Sequence, residues 1–443
     1  MKIKLIVFIA FFTSLATFSQ KQWTLKECVD EALKKNISIQ QNKLTLELAK
    51  KDVDIAKGNF LPNLNAGLGS NFNFGTGFDP VFQNRVNTSF FGGNINVNSG
   101  VTLFNGFRNT NTYKQAQLGV ESSLLDLQKI ENDISLFVVN GYLNILFAKE
   151  NLEAAKVQYE ISKKQIEAAK QRFESGVIPK GDLLNVESTA ASNLQSVISQ
   201  ENALDLSLLN LAQLLQVSSE DFDIANIDVG TPSANIFYKN SNFVYDKSLE
   251  RMPEITRAKL AIENANLNIE ISKSAFLPSL TANAGLSSNY GFNLNPPVGF
   301  VNVPFGEQLN DNFGYGFGFN LSIPIFNRLQ TKNRVAQQEI NKEVSELRLE
   351  SEKVNLKQTI EQAFLDVKTA LKTFEAAKVS LEAQEEAFKN AEERYNFGAM
   401  TQFDFDQVRT RLVNAQSALI RSKYDYVFKT KVLQFYAGDL VLE

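Results

Sequence analysis

Phe313-Gly314-Tyr315-Gly316-Phe317-Gly318-Phe319-Asn320-Leu321-Ser322-Ile323-Pro324-Ile325 puts an apolar residue at every odd position and a Gly, Asn, Ser or Pro at every even one. Side chains alternate across a strand, so a period of two builds one apolar, largely aromatic face and one small polar face. Three other stretches read the same way. Leu64, Ala66, Leu68, Phe72 and Phe74 alternate with Asn63, Asn65, Gly67, Gly69, Asn71 and Asn73. Ile95, Val97, Val101 and Leu103 face away from Asn94, Asn96, Asn98, Gly100 and Thr102, and Leu280, Ala282, Ala284, Leu286, Tyr290 and Phe292 away from Thr281, Asn283, Gly285, Ser287, Asn289 and Gly291. Each run is about the 9–11 residues that cross a bilayer as a tilted strand. A half-buried sheet in a soluble sandwich also alternates. The lack of charge on either face favours lipid on one side and water on the other, which assigns Asn65, Asn71, Asn96, Asn98, Asn283, Asn289 and Asn320 to a water-filled lumen. Four strands close no useful barrel, and open edges are not tolerated in hydrocarbon, so several copies are expected to share one.

The strand markers recur. Phe60-Leu61-Pro62-Asn63-Leu64 returns as Phe276-Leu277-Pro278-Ser279-Leu280, 216 positions later, and Phe104-Asn105 as Phe326-Asn327, 222 later. Arg172-Phe173-Glu174-Ser175-Gly176 with Asp182 returns as Arg394-Tyr395-Asn396-Phe397-Gly398 with Asp404, again at 222. The chain therefore divides into a leader at 1–20, a first copy at 21–220, a connector at 221–245 and a second copy at 246–443. Self-similarity of this kind marks a duplicated unit.

Between strands the period changes to seven. Val138, Ile145, Leu152, Tyr159, Ile166 and Phe173 form one row, and Ile134, Gly141, Ala148, Ala155, Ser162 and Ala169 a smaller one. Ile360, Val367, Phe374, Leu381, Phe388 and Tyr395 repeat the first, and Leu356, Ala363, Ala370, Ala377, Gln384 and Ala391 the second. Sustained sevens impose a left-handed supercoil. A helix from about Asn109 to Ser175 would be on the order of 100 Å long at ~1.5 Å per residue. Gly176-Val177-Ile178-Pro179 and Gly398-Ala399-Met400-Thr401 then turn the chain into return helices near 182–217 and 403–437.

Composition removes whole classes of function. The 443 residues include no His and one Cys, with 45 Lys+Arg against 49 Asp+Glu. No His-based triad or His-ligated metal centre can be built, nor a disulfide or iron–sulfur cluster. A mildly acidic balance leaves no footprint for nucleic acid. Carboxylates such as Glu385-Glu386 and Glu392-Glu393 read as solvated helix faces rather than acid–base pairs. Lys2 and Lys4 before the apolar run Leu5 to Ala16 have the layout of a secretory signal peptide; the run is shorter than a spanning helix. Cys28 reads as a half-buried helix thiol.

The opening Trp23-Thr24-Leu25-Lys26-Glu27-Cys28-Val29-Asp30-Glu31-Ala32-Leu33-Lys34-Lys35-Asn36, the Phe-Leu-Pro-x-Leu markers, the strand exit Leu103-Phe104-Asn105-Gly106-Phe107-Arg108 and the Arg-Phe/Tyr-x-x-Gly-x5-Asp tips together resemble the TolC family of outer-membrane efflux proteins. The resemblance covers essentially all of the chain after the leader. It implies a mixed α/β membrane protein, with a long antiparallel α-helical coiled-coil barrel in the periplasm and four β-strands per chain in a shared, trimeric 12-stranded outer-membrane β-barrel. It implies a homotrimer in contact with outer-membrane lipid, a periplasmic adaptor and an inner-membrane transporter of RND or ABC type. Such a duct passes cargo passively and needs no cofactor. The resemblance also implies a periplasmic gate at Asp182, Tyr395 and Asp404, with Asp406 beside a position that is acidic in relatives and is Gln407 here. Met400 stands where relatives often carry Arg, and Gly181 where they carry Thr. Asp182 and Asp404 also fit plain N-caps of the return helices. Gly176, Val177, Ile178, Gly398, Ala399 and Met400 are the expected adaptor-contact tips, and equally fit as simple turns. Loops 75–93 and 293–312, with Phe82, Pro296, Pro297 and Pro304, are expected at the outer mouth. The competing reading is a secreted or surface coiled-coil structural or adhesion protein, which accounts for the sevens and the leader but not for four uncharged alternating strands.

Overall fold

A computed structural model describes residues 22–79, 83–227, 238–296 and 299–439. The leader, Phe82, Pro297 and much of the connector lie outside the described residues. The elements are β1 (Gln22–Trp23), α1 (Leu25–Lys35), α2 (Ile37–Gly58), β2 (Asn65–Asp79), β3 (Asn84–Asn105), α3 (Arg108–Glu174), α4 (Lys180–Leu215), β4 (Asp223–Ile224), α5 (Ser241–Arg251), α6 (Pro253–Lys273), β5 (Ser279–Asn293), α7 (Phe305–Asp311), β6 (Gly314–Ser322), α8 (Gln330–Asn396) and α9 (Gln402–Ala437). Helices α3 and α8 each hold 67 residues, and α4 and α9 each hold 36. The chain folds as two compact units, each assembled from both halves of the sequence. One comprises the described residues of Met1–Leu44, Leu125–Thr256 and Glu350–Glu443, the other Thr45–Leu124 and Arg257–Leu349.

The second unit holds an antiparallel sheet in the order β2-β3-β5-β6. Its register keeps like with like. Asn65 pairs with Asn98, Asn94 with Asn289, Gly100 with Asn283 and Thr281 with Asn320, while Leu68 pairs with Ile95, Val97 with Leu286 and Ala284 with Phe317. Every apolar row therefore falls on one face and every Asn/Gly row on the other. The apolar face stays uncovered along the outer strands: Leu64 is 76% exposed, Tyr315 80% and Phe317 83%. One bulge interrupts the alternation. Thr102 pairs with Thr281 and Phe104 with Leu280, so Leu103, expected on the apolar face, is the extra residue and Phe104 takes the register position.

The hairpin between β2 and β3 is longer than the sequence predicts. Residues 75–79 and 84–93, expected as an outer loop, are paired strand, with Gly75 opposite Thr88 and Phe78 opposite Arg85. Small polar residues with few apolar neighbours gave no alternation there, but the ladder persists because each backbone group finds its partner across the hairpin, and the Thr76 hydroxyl donates to Asn87 Oδ1 at 3.0 Å. The second expected loop is also partly ordered. Strand β6 stops opposite Ser287, and beyond it side-chain amides serve the bare edge of β5. The Gly291 N–H donates to Gln308 Oε1 at 2.7 Å, the Asn293 N–H to Asn302 Oδ1 at 2.8 Å, and Asn312 Nδ2 to the Asn289 carbonyl at 2.8 Å. Helix α7, which begins after Pro304, supplies Gln308 and packs Phe305 edge-on against Tyr290.

In the first unit the seven-residue rows are the core. Val138, Ile145, Ile360 and Val367 are buried, as are the small-row residues Ala148, Ser162, Ala169, Ala370 and Ala391. A Cβ on Gly141 would come within 3.2 Å of the Leu211 side chain, so α4 approaches α3 closely at that position. Beside it the two-residue strands β1 and β4 pair in parallel, Trp23 with Ile224. The fully buried Tyr142 hydroxyl donates to the Ala225 carbonyl at 2.7 Å and reaches the Trp23 carbonyl at 3.2 Å. Burial pushes that phenol well above its ordinary pKa. Lys149 closes the junction with an ion pair to Asp223 at 2.6 Å. Tyr142→Phe removes the donor shared by the two termini of this junction and is expected to cost about 1–3 kcal/mol, read as a lower denaturant midpoint with unchanged helix content by circular dichroism.

Candidate functional site

The two turns that join the long helices to their return helices have one geometry. At the first, the Gly176 N–H donates to the Phe173 carbonyl at 2.9 Å and the Val177 N–H to Arg172 at 2.8 Å. At the second, Gly398 donates to Tyr395 at 3.0 Å and Ala399 to Arg394 at 2.8 Å. This pair of bonds satisfies the last helical carbonyls and requires a left-handed residue just beyond the helix. Gly176 has φ 76° and Gly398 φ 69°, which only glycine adopts without cost. Nothing lies within 4 Å of a Cβ built on either. Around them Val177 is 63% exposed and Phe397 88%, Ala399 is exposed, and Ile178 and Met400 are half-buried.

Neither expected aspartate is an N-cap. The N-cap of α4 is Pro179, and Asp182 sits in the first turn with its N–H donating to the Pro179 carbonyl at 3.1 Å. The N-cap of α9 is Thr401: its hydroxyl accepts the Asp404 N–H at 3.1 Å and donates to Asp404 Oδ2 at 2.7 Å. Both carboxylates lie at the positive end of a helix, where anions are favoured. Tyr395 ends α8 stacked on Phe405, ring centroids 4.8 Å apart, with the Arg172 guanidinium 5.3 Å from its centroid. Its pKa is raised by burial against the opposing charge of Arg172, with Asp406 and Asp182 adding to the rise. Tyr395, Asp182 and Asp406 thus share one electrostatic neighbourhood.

Sequence reasoning missed Arg409. It is 4% exposed, donates Nη1 to Gln165 Oε1 of α3, and places Nη2 2.6 Å from Asp406 Oδ1. That last contact is ionic rather than a well-aligned hydrogen bond, and Asp406 also accepts from Gln402 Nε2 at 3.1 Å. Burial lowers the Arg409 pKa and Asp406 opposes the shift. Asp406 is therefore engaged within its own chain. The signal was present in the spacing: Arg409 follows the buried Gln402 by seven and the buried Phe405 by four, on the inward face of α9.

On the sheet, Asn65, Asn71, Asn96, Asn98, Asn283, Asn289 and Asn320 all fall on the one polar face. Asparagines there lie over glycines of the neighbouring strand: a Cβ on Gly69 would come within 2.9 Å of Asn94 Oδ1, and one on Gly285 within 2.8 Å of Asn98 Oδ1. Asn98 Nδ2 donates to Asn96 Oδ1 at 3.0 Å, and Asn63 Oδ1 accepts the Gly100 N–H at 2.8 Å. The result is a wall of neutral amides. Among the described residues no group of three or more His, Cys, Asp or Glu could hold a metal ion.

The family model described as outer membrane efflux protein matches residues 28–216 and 244–439. Outer membrane protein TolC of Vibrio cholerae is 22% identical, over 96% of this chain and 94% of that protein. Outer membrane protein TolC of Escherichia coli is 21% identical, over 97% and 84%. Among solved structures, the CmeC outer membrane channel of Campylobacter jejuni superposes with a TM-score of 0.70 at 20% identity, covering 95% of this chain and 86% of that one. The open state of the Neisseria gonorrhoeae MtrE outer membrane channel gives 0.64 at 19% identity, covering 97% and 95%.

Arg409→Ala would leave Asp406 without its charge partner in a site that is largely closed to water. The expected loss is about 3 kcal/mol, measured by chemical denaturation, and Arg409→Ala combined with Asp406→Asn should recover part of it.

Proposed function

The chain belongs to the outer membrane efflux protein family, and from that membership we propose that it is the outer-membrane exit duct of a tripartite efflux or type I secretion system. Cargo passes through it passively, handed over by an inner-membrane transporter of RND or ABC type and a periplasmic adaptor. The observation that carries this reading is the sheet: four strands with a largely aromatic apolar face left exposed along β2 and β6, and, among the described residues, no strand paired beyond either of those two edges. In hydrocarbon those edges must be paired. Three copies, each giving four strands, would pair β2 of one with β6 of the next and close a 12-stranded barrel, with the Asn/Gly face around water and the apolar face against outer-membrane lipid.

The helices beside those edges support the same closure. Helix α2 leads into β2 and α8 follows β6. Leu48 and Ile55 on α2, and Ile340 and Leu347 on α8, recur at sevens and are all at least 59% exposed. Apolar rows at that spacing are what a neighbouring helix covers. The long helices of three copies would then form the coiled-coil barrel in the periplasm. The two matches to one family model, and the equal lengths of α3 with α8 and of α4 with α9, support descent from a duplicated unit.

In this reading the turns at Gly176-Val177-Ile178 and Gly398-Ala399-Met400 receive the adaptor. Asp182, Tyr395 and Asp404 belong to the periplasmic gate, and Asp406 acts through Arg409. The lock itself differs from the pattern implied by resemblance, since Met400 offers no charge and the tie between hairpins is made by Arg409 on Gln165 and Arg172 on Tyr395.

Native mass measured after extraction from membranes in mild detergent should give a trimer that depends on the detergent; a monomer soluble in plain buffer would overturn the barrel and the duct together. Gly176→Trp with Gly398→Trp should abolish transport in cells while leaving trimers intact, and normal transport by that variant would refute the tips as the adaptor contact.

A further inference from the structure

The second turn opens onto a groove of 620 Å³ that the first turn does not match in charge. Its lining includes Arg394 from the end of α8 and Asp404, Gln407, Val408 and Arg411 from α9. The four α9 residues are spaced i, i+3, i+4 and i+7, so they form one helix face. No described carboxylate lies within 4.0 Å of the Arg394 or Arg411 guanidinium. Asp404, the one acid in the lining, is already held: it accepts the Thr401 hydroxyl at 2.7 Å and sits at the positive end of α9. Two guanidiniums less one carboxylate leave the groove with a net charge of +1 per chain.

Comparison of the two halves at the offset of 222 sharpens the contrast. Asp404 corresponds to Asp182 and Val408 to Val186, so the frame is kept. Arg411 corresponds to Thr189, which has no charge. Arg394 corresponds to Arg172, whose guanidinium is laid over the Tyr395 ring at 5.3 Å. At the first turn the arginine is engaged on that ring and Thr189 adds no second guanidinium, whereas at the second turn two arginines face one carboxylate. Arg presents a fork of donors that matches carboxylate and phosphate oxygens.

We propose that the groove at the second turn is an anion-recognising stretch of the exit path, and that the cargo it admits carries carboxylate or phosphate groups. This rests on the duct reading, because it requires the gate residue Asp404 and its helix face to line the passage. With three copies around one axis the entrance carries six guanidiniums against three carboxylates, and charged rings at a constriction set which ions enter.

The test uses the full-length protein in planar bilayers under a KCl gradient. Wild type should favour chloride over potassium. Arg394→Ala with Arg411→Ala should lower the chloride-to-potassium permeability ratio at least twofold, Asp404→Asn should raise it, and Arg394→Lys with Arg411→Lys should stay near wild type. Citrate added on the side of the turns should block the wild-type current at a concentration at least tenfold lower than it blocks the double alanine variant. An unchanged permeability ratio, together with equal citrate block in the alanine variant, overturns the anion groove while leaving the duct standing. Absence of any conductance from wild type overturns the duct reading, and the groove with it.

Discussion

The unpaired edges of one four-stranded sheet are the constraint on which everything else in this protein turns. Each edge presents a row of backbone donors and acceptors that water can serve but hydrocarbon cannot. At the outer end of β5 the chain meets that need internally, with Gln308, Asn302 and Asn312 standing in for a missing strand. Along the outer edges of β2 and β6 no strand is paired among the described residues. In the duct reading a sheet with an exposed aromatic face and two such edges is incomplete by itself, and further copies of the same sheet would supply the missing partners.

The small polar face follows from the same constraint. In the duct reading the strands curve around water and need side chains that neither crowd the interior nor strand a charge. Alternating Asn and Gly answers both demands: the Asn94, Asn96 and Asn98 side chains lie against glycines of a neighbouring strand, and Asn98 donates to Asn96 along the wall. Aromatic rows on the other face pack against one another, as Phe72 does on Phe91 at 4.5 Å and Phe91 on Phe292 at 6.2 Å.

The helical unit solves a different problem. Sevens give α3 and α8 a row buried at Val138, Ile145 and Leu152 and at Ile360, Val367 and Phe374, and the small row lets α4 come close at Gly141. A core so regular would bring the hairpins together without selecting how they meet. Buried polar contacts add that selection: Asn193 on Ser162, and Arg409 on Gln165, each fix one helix against another at a single height, with Asp406 holding Arg409 from within its own helix. These contacts sit in the same half of the hairpins as the turns, where a change in helix arrangement would have the largest consequence for what can enter.

Periodicity alone determined the elements. A period of two marked the strands and a period of seven the long helices, because each pattern records which residues must share a face, and glycines at 176 and 398 marked the turns because only glycine takes that φ cheaply. The seven asparagines expected at the lumen could be placed on one face for the same reason. Residues 75–79 and 84–93 escaped, since Gly, Thr, Ser and Asn interrupt the apolar rhythm there and the ladder is recognised only once its partner is found across the hairpin. Leu103 escaped because a bulge is a property of two strands together. The N-caps and Arg409 were decided by tertiary structure: whether an aspartate caps a helix depends on the φ and ψ of its neighbour, and whether an arginine is a surface charge or a buried tie depends on which helix, far away in sequence, packs over it.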